Sequence, residues 1–496
     1  MNGARAPRRN SATKEAAKGF FERMLTEAFP QLQKSALIKR LNGFFRSEYY
    51  MALVVGITTI AELFGLELFA YYCYTLLAVV ITLFAEDTLG HVPLACCFMF
   101  TFSARNSARN NEVTIFDDQS AFLQIVVLGS ICFIAGFARL MKSAVCGKSY
   151  RFPALTAGFA VLGFSYLFGG MFSPYFGIPT FMFGLLQVLF ICVLYFYFRN
   201  TVKWEKTPRE YLIMLLFILG VGIACQSISM YFNEGVFTEC GVNRGYLYVG
   251  WGSYNLVGVV MAICMPAPFY FAVTRRNGWA YSIVGTVYWL FLLIIQSRGA
   301  IVAGTVVYAI CALYTLIKAK GRARLEHAIV FVCMIVALIV SLFLFRKPFS
   351  KLFASLLEIG NDSTGRFPLY RDAWNNFCKY PFFGVGWGGG DSETLPWIEA
   401  PFWLSRPFYA HNTFFQLIST GGLMMLLAYG FHRAQTIALI MRNPTKSNLF
   451  LGFSLLALLL TSMFDYHIFS YCTLIVYSVI LSFCETKEQP KKIQEK

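Results

Sequence analysis

Charged residues are scarce in this chain, and acidic residues are the scarcest. Only 14% of the 496 residues are Asp, Glu, Lys or Arg, whereas soluble domains carry roughly 25%. The 26 acidic residues face 42 basic ones, and there are five histidines. No Cys or His spacing of the zinc type is present, nor is a repeat of fixed period. These shortages exclude an ordinary soluble enzyme, a zinc-stabilised module and a repeat protein.

Apolar residues are abundant instead, at 57% of the chain. They form uncharged runs long enough to cross about 30 Å of hydrocarbon. The sequence therefore predicts an all-α polytopic integral membrane helix bundle of about 12 to 14 transmembrane helices with one large extracytoplasmic loop. Fourteen candidate spans lie near 50–67, 68–85, 88–104, 120–141, 153–171, 178–198, 211–230, 250–273, 279–296, 299–317, 327–345, 410–432, 448–464 and 468–484.

The basic residues are distributed in a way that predicts the orientation of the chain. With a cytoplasmic N-terminus and alternating spans, 30 of the 42 Lys and Arg lie in cytoplasmic segments. Of the 11 on the outside, seven belong to the long loop 346–409, which crosses the membrane largely regardless of charge. The excess of basic residues is therefore interpreted as a topology signal, and no nucleic-acid partner is expected. Both termini are predicted to be cytoplasmic.

The chain then divides into five predicted parts. No cleavable signal peptide is expected, because the first apolar run begins only near residue 50. Apolar and basic residues alternate at helical spacing over 12–46, which suits an interfacial helix or a disordered tail. The parts are a cytoplasmic basic segment 1–49, spans 50–345, an extracytoplasmic loop 346–409 that carries site residues, spans 410–484 and a cytoplasmic tail 485–496.

Several ionisable residues recur at one predicted depth, the outer boundary of the membrane. Arg298 lies at the outer end of two spans, His411 opens the twelfth, and Asp465 lies in the last outer turn. Arg366 and Arg371 come from the adjoining loop. Taken singly, such residues are also what interfacial anchoring produces. Together they predict one site at the outer membrane–water boundary.

The residue types suggest the chemistry of such a site. Guanidinium groups donate a rigid fork of hydrogen bonds to phosphate oxygens and remain charged at physiological pH, which suits a lipid-attached diphosphate. A neutral histidine suits removal of a proton from an acceptor hydroxyl. The acids of the loop form no metal-binding motif, so neither a metal nor another cofactor is expected.

An ordered set of motifs resembles the signature of the O-antigen ligase and O-antigen polymerase superfamily. The set begins with Ser297-Arg298-Gly299-Ala300 and Thr364-Gly365-Arg366, and continues with Trp374, Pro381, Gly384-Val385-Gly386, His411-Asn412 and Gly421-Gly422. Without the rest of the set, the glycine-rich run Gly384 to Gly390 has two interpretations. It forms either a structural turn or a phosphate-binding nest of backbone N–H groups.

The resemblance implies a GT-C-like bacterial inner-membrane enzyme that needs no metal. It would transfer or polymerise glycan from undecaprenyl diphosphate, with inversion, onto a glycan or lipid acceptor during surface-polysaccharide synthesis. His411 would then be the catalytic residue, Arg298 and Arg366 would bind the donor diphosphate, and Arg371 is a further candidate for that role. Asp465 and Asn412 are secondary candidates. The many spans, the long basic N-terminus and the cysteines depart from the ligase pattern and favour a polymerase.

Two other functions remain open at the sequence level. The first is a transporter or flippase for a lipid-linked oligosaccharide or polysaccharide, although the predicted midplane carries few ionisable groups for coupling. The second is a non-catalytic assembly protein of the cell envelope.

Overall fold

The computed structural model describes residues 36–101, 119–145, 153–233, 237–238, 241–242, 248–249, 252–344, 366–389 and 410–486. The larger part of the predicted interfacial segment 12–46 lies outside the described residues, and so does much of the loop 346–409. Of that segment, Ala36–Phe45 is a helix. Of that loop, residues 366–389 are described, and they bring Arg366 and the glycine motif into view.

The described chain is built almost entirely of helices. Eighteen α-helices follow one another as α1 Ala36–Phe45, α2 Glu48–Phe64, α3 Glu67–Phe84, α4 His91–Phe98, α5 Gln119–Val145, α6 Thr156–Phe168, α7 Ile178–Val188, α8 Leu194–Thr201, α9 Tyr211–Asn233, α10 Tyr254–Cys264, α11 Pro266–Thr274, α12 Gly278–Ile295, α13 Arg298–Lys318, α14 Gly321–Leu344, α15 Arg366–Lys379, α16 Thr413–Arg442, α17 Lys446–Ser462 and α18 Tyr471–Cys484. A π-helical turn, Leu189–Val193, joins α7 to α8. Short 3₁₀ turns occur at Trp204–Lys206 and His467–Phe469.

Extended structure is confined to two short antiparallel pairs between α9 and α10. Strand β1 (Phe237–Thr238) pairs with β2 (Gly241–Val242), and β3 (Tyr248–Val249) pairs with β4 (Gly252–Ser253). Each strand has two residues, so neither pair forms a sheet that could support a core.

The predicted fold class, an all-α polytopic membrane bundle, is confirmed. Among the described residues, nine helices are long and apolar enough to cross a membrane, and three shorter apolar helices accompany them. The third predicted span, 88–104, differs most, because α4 has only eight residues. It nevertheless lies alongside α3, since Tyr71 Oη donates to the carbonyl oxygen of Phe98.

The pair α10–α11 forms the centre of the bundle. Its apolar stretch is 94% buried, more than that of any other long helix described. Within a membrane, helices associate through close packing and not through exclusion of water, so small residues matter at contacts. A Cβ on Gly258 would lie 2.8 Å from Cβ of Ala300 and 2.9 Å from Cβ of Ser297. This close approach brings α10 against the first turn of α13.

The two ends of the bundle carry different sets of charged side chains. One end, here called the opposite end, holds ion pairs between Arg46 and Asp87, Lys203 and Glu86, Lys206 and Glu86, and Arg275 and Glu210. Helix α12 starts three residues after Arg275 and ends at Ile295, which places Arg298 at the other end, here called the site end. The 18 residues of α12 span about 27 Å at 1.5 Å per residue.

Candidate functional site

Asp465 lies at the centre of the charged groups at the site end. It belongs to the turn between α17 and α18, and only 4% of its surface is exposed. The backbone N–H of the next residue, Tyr466, donates a hydrogen bond to Oδ1 of Asp465 at 2.8 Å. A buried carboxylate needs partners of opposite charge, and the surrounding residues provide them.

His411 forms the closest side-chain contact with this carboxylate. Its Nδ1 lies 2.7 Å from Oδ1 of Asp465. Because an ionised carboxylate only accepts hydrogen bonds, Nδ1 must carry a proton, and in the neutral form of the ring Nε2 has the free lone pair. About a third of the His411 side chain is exposed, and Nε2 has no partner among the described residues. This is the arrangement of a histidine base oriented by a carboxylate.

The backbone at this site is held in an unusual conformation. His411 has a φ of 50° and Gln296 a φ of 59°, and they are the two non-glycine residues with positive φ in the described chain. Left-handed conformations cost such residues about 1 to 3 kcal/mol and cluster at functional sites. Asn412 caps α16 immediately after His411, and its Oδ1 accepts hydrogen bonds from the N–H groups of Phe414 and Phe415. The cap determines where the helix begins and therefore where His411 lies.

Arg366 reaches the same carboxylate from the loop. It is the first residue of α15, its Nη1 donates to the carbonyl oxygen of Phe464 at 2.6 Å, and its Nη2 lies 3.7 Å from Oδ2 of Asp465. These contacts occupy one edge of the guanidinium group, and about 31% of the side chain is exposed. Tyr370 forms a further side-chain hydrogen bond with Arg366, and the exposed part of the guanidinium group can bind an anion.

Arg298 is brought to the site by its two neighbours in the chain. A Cβ on Gly299 would lie 2.6 Å from Cβ of Phe464, so the first turn of α13 contacts the Asp465 turn directly. On the other side, Ser297 Oγ donates to Asn255 Oδ1 at 3.0 Å, and Asn255 Nδ2 donates to Oδ2 of Asp465 at 3.1 Å. The predicted arginine thus lies beside a hydrogen-bonded chain that ends on the site carboxylate.

Asn255 was absent from the sequence prediction. It lies near the site end of α10, one turn before Gly258, and links α13 to the Asp465 turn. The available signal was an amide side chain near the start of an apolar span. Within one sequence, such an amide cannot be told apart from an interfacial residue.

The electrostatics keep Asp465 ionised. Burial opposes its charge, but His467, His411 and Arg366 outweigh burial and lower the pKa of Asp465 to about 2. For His467, whose Nε2 lies 3.9 Å from Oδ2 of Asp465, burial dominates and lowers the pKa, which favours the neutral ring near pH 7. The carboxylate therefore remains available to orient His411.

Two predicted residues are placed away from this cluster. Asn412 donates from Nδ2 to the carbonyl oxygen of Met463 at 2.7 Å, so its side chain ties two segments together while it caps α16. Arg371 lies on α15 but is exposed, and it makes no hydrogen bond or ion pair with the described residues. Five residues separate it from Arg366, which turns it about 140° around the helix axis. The geometry brings Arg366, His411 and Asp465 together and places the first turn of α13, which begins at Arg298, beside them, without Arg371.

The glycine motifs contact each other. Backbone N–H groups of Val385 and Gly386 donate to the carbonyl oxygens of Ser419 and Thr420, at 2.8 and 2.9 Å. Where α16 bends at Gly422 (φ 60°), the N–H of Leu423 donates to the carbonyl oxygen of Pro381 at 2.8 Å. The N–H groups that a phosphate nest would need are thus used to dock the loop onto the broken helix. This favours the structural-turn interpretation over the phosphate nest.

Within the described part of the chain, no group of three or more His, Cys, Asp or Glu side chains has an arrangement that could hold a metal ion. The permanent positive charge at the site end comes from the arginine side chains.

A comparison with known protein families matches the segment of the chain that holds most of these site residues. Residues 282–430 match the model of the family described as O-antigen ligase, which confirms the predicted relationship to the O-antigen ligase and polymerase superfamily. The matched segment includes Arg298, Arg366 and His411. The family implies a membrane glycosyltransferase that acts on a lipid-linked glycan and an acceptor. No curated protein matches the chain significantly.

Proposed function

We propose that this chain, which carries an O-antigen ligase domain over residues 282–430, transfers or polymerises glycan from undecaprenyl diphosphate at the outer face of the bacterial cytoplasmic membrane. The contact between His411 and Asp465, beside Arg366 and next to the first turn of α13, is the observation that carries the proposal. In this orientation both termini are cytoplasmic and the loop 346–409 is extracytoplasmic.

Arg298 and Arg366 are proposed to bind the donor diphosphate. The leaving group of the reaction is a diphosphate whose negative charge grows as the sugar C1–O bond breaks. Arginine stabilises such charge through a fixed pair of donors and remains protonated throughout. This arrangement assigns the charge stabilisation to arginine and requires no metal ion.

His411 is proposed to activate the acceptor. Its Nε2 accepts the proton of an acceptor hydroxyl while the hydroxyl oxygen forms the new bond to C1, and the electron pair of the broken bond leaves with the lipid diphosphate. Attack from the face opposite the leaving group inverts the anomeric centre. Asp465 orients the ring and stabilises the imidazolium that forms.

The two substrates share one surface, so holding them together supplies a large part of the rate enhancement. The docked segment Pro381 to Gly389 is proposed to fix the base of the extracytoplasmic loop above the bundle, because its backbone is hydrogen-bonded to α16. The first turn of α15 then holds Arg366 at a constant distance from His411.

The test incubates purified full-length protein with a polyprenyl-diphosphate oligosaccharide and examines the products. A ladder of longer glycans is the expected result for a polymerase, and a product only after a second acceptor is added indicates a ligase. A flippase would instead move the lipid across liposomes with no new glycosidic bond. The last outcome, in protein whose thermal unfolding is normal, would overturn the proposal.

A further inference from the structure

A second polar cluster lies inside the bundle, away from the site end. It consists of Tyr166 on α6, Tyr429, His432 and Arg433 on α16, and Tyr477 on α18, and is called here the Arg433 cluster. Tyr166, His432 and Tyr477 are at most 1% exposed. An ionisable residue inside a membrane bundle is costly to maintain and calls for a functional explanation.

Arg433 is a cation without an acidic partner in the described chain. Its guanidinium carbon lies 4.6 Å from the ring centroid of Tyr429 and 4.7 Å from that of Tyr477. Two aromatic faces attract a cation by about 2 kcal/mol when it is desolvated. Arg433 is partly exposed, and that attraction is small beside the cost of removing an unpaired charge from most of its water, which arginine cannot avoid by giving up its proton.

The cluster has an excess of hydrogen-bond donors. Arg433 Nε and Tyr166 Oη are buried and have no hydrogen-bond partner among the described residues, whereas the phenols of Tyr429 and Tyr477 interact with the guanidinium group. The guanidinium N–H can only donate, and each phenol has a proton to donate. His432 already contacts Tyr477 Oη through Nε2 at 2.8 Å, and its Nδ1 is buried without a partner. Buried donors left in this state cost about 1 to 3 kcal/mol each.

A ligand that satisfies this cluster must accept several hydrogen bonds and carry negative charge. Water meets the first requirement only. A small inorganic anion meets both, since it neutralises Arg433 and accepts from the phenols of Tyr166 and Tyr429. We propose that the Arg433 cluster is a binding site for a small inorganic anion, for which chloride is the probe.

The position of the site indicates what the bound anion does. It lies where three helices meet, because Tyr166, Arg433 and Tyr477 come from α6, α16 and α18. The backbone N–H of Gly158 on α6 donates to Gln435 on α16 at 2.9 Å, so this contact is tightly packed. An anion that bridges the three helices stabilises the folded bundle by linkage, whether or not the glycosyl-transfer proposal is correct.

The experiment measures thermal unfolding of the full-length protein in detergent, titrating sodium chloride against sodium gluconate at constant ionic strength. Wild type is expected to show a saturable rise of the midpoint temperature with chloride. Arg433→Gln is expected to lose that rise. Arg442→Gln is the matched control, because Arg442 is exposed on the same helix and makes no described contact, and it should respond as wild type does.

A milder pair of variants keeps the test decisive if Arg433→Gln does not fold. Tyr166→Phe and Tyr429→Phe keep the rings and remove one donor each, so the half-saturating chloride concentration should rise about tenfold in each. A midpoint temperature that is the same in chloride and gluconate would show that water satisfies the cluster. Equal chloride responses in wild type and both phenylalanine variants would show a general salt effect. Either result would overturn the anion site.

Discussion

The two ends of the bundle use charge differently. At the opposite end, bases meet acids in local pairs, with Lys203 Nζ 2.6 Å from Glu86 Oε1 and Arg275 Nη2 2.8 Å from Glu210 Oε1. At the site end, Arg366, His411 and His467 all contact one carboxylate, that of Asp465. At the opposite end the acids thus have local basic partners, whereas at the site end one buried carboxylate is shared by several side chains.

This difference separates anchoring from binding. Exposed ion pairs contribute about 0 to 1 kcal/mol each, so those at the opposite end serve to hold segments in place. Two arginines, Arg298 and Arg366, near one buried carboxylate create a place where an anion is favoured. The comparison therefore predicts that substitutions at the site end reduce transfer, and that matched substitutions at the opposite end do not.

His411→Ala is expected to have the largest effect. Losing the base should reduce glycan transfer by about 10²- to 10⁴-fold, because proton removal from the acceptor then falls to solvent. The measurement is product formation from a lipid-linked oligosaccharide, with thermal unfolding as the check on folding. Arg275→Gln at the opposite end is the control and should retain activity within about twofold. A fully active His411→Ala enzyme would remove histidine from the mechanism.

The second largest effects are expected for the two arginines that are proposed to bind the donor diphosphate. Arg298→Ala and Arg366→Ala should each lower transfer by about 10²- to 10³-fold, as expected when one stabiliser of a leaving-group charge is lost. Arg371→Ala is the matched control on the same helix as Arg366, since Arg371 is exposed and lies apart from the cluster. Equal losses in all three variants would indicate a diffuse field instead of a defined site.

Asp465→Asn should have an intermediate effect. The amide keeps the shape but removes the charge that orients His411, so a loss of about 10- to 100-fold is expected. Initial rates with saturating donor and varied acceptor would show whether kcat falls, as an orienting role requires. Unchanged kcat with weaker acceptor binding alone would contradict that role.

The same residue predicts a pH dependence of stability. The pKa of Asp465 falls from 3.8 to about 2 on folding, so its ionised form favours the folded state. This contribution is fully present above about pH 4 and is lost as the pH falls toward 2. Thermal unfolding of wild type should therefore lose stability over that window more steeply than that of Asp465→Asn. Parallel pH profiles for the two proteins would argue against a depressed pKa.

Asn255→Ala should have the smallest effect at the site end. It removes one hydrogen bond to the carboxylate and leaves Ser297 Oγ without its acceptor, a loss of about 1 to 2 kcal/mol or roughly tenfold in transfer. Asn448→Ala provides the matched amide control, because Asn448 donates to the carbonyl oxygen of Asn443 near the other end of α17. A drop of similar size in both variants would point to bundle stability as the cause.

The sequence by itself was sufficient to predict the membrane bundle and to nominate Arg298, Arg366, His411 and Asp465 as candidates for one site. Uncharged runs of bilayer length and the bias of basic residues depend only on composition along the chain, so they can be read without a fold. The alternation of spans then places all four residues at one depth. Residue type and depth were enough to nominate them.

Only the tertiary structure decided which of the nominated residues meet. Arg366 belongs to the motif Thr364-Gly365-Arg366 and Arg371 to no motif, but only the rotation of α15 shows that Arg366 alone reaches Asp465. The third predicted span became the short helix α4, because apolar composition reports burial and not helix length. The roles of Asn255 and Arg433 depend on helices that are distant in sequence. For Asn255 these helices are α13 and α17, and for Arg433 they are α6 and α18. Long-range packing sets these contacts, and hydropathy along the chain carries no information about it.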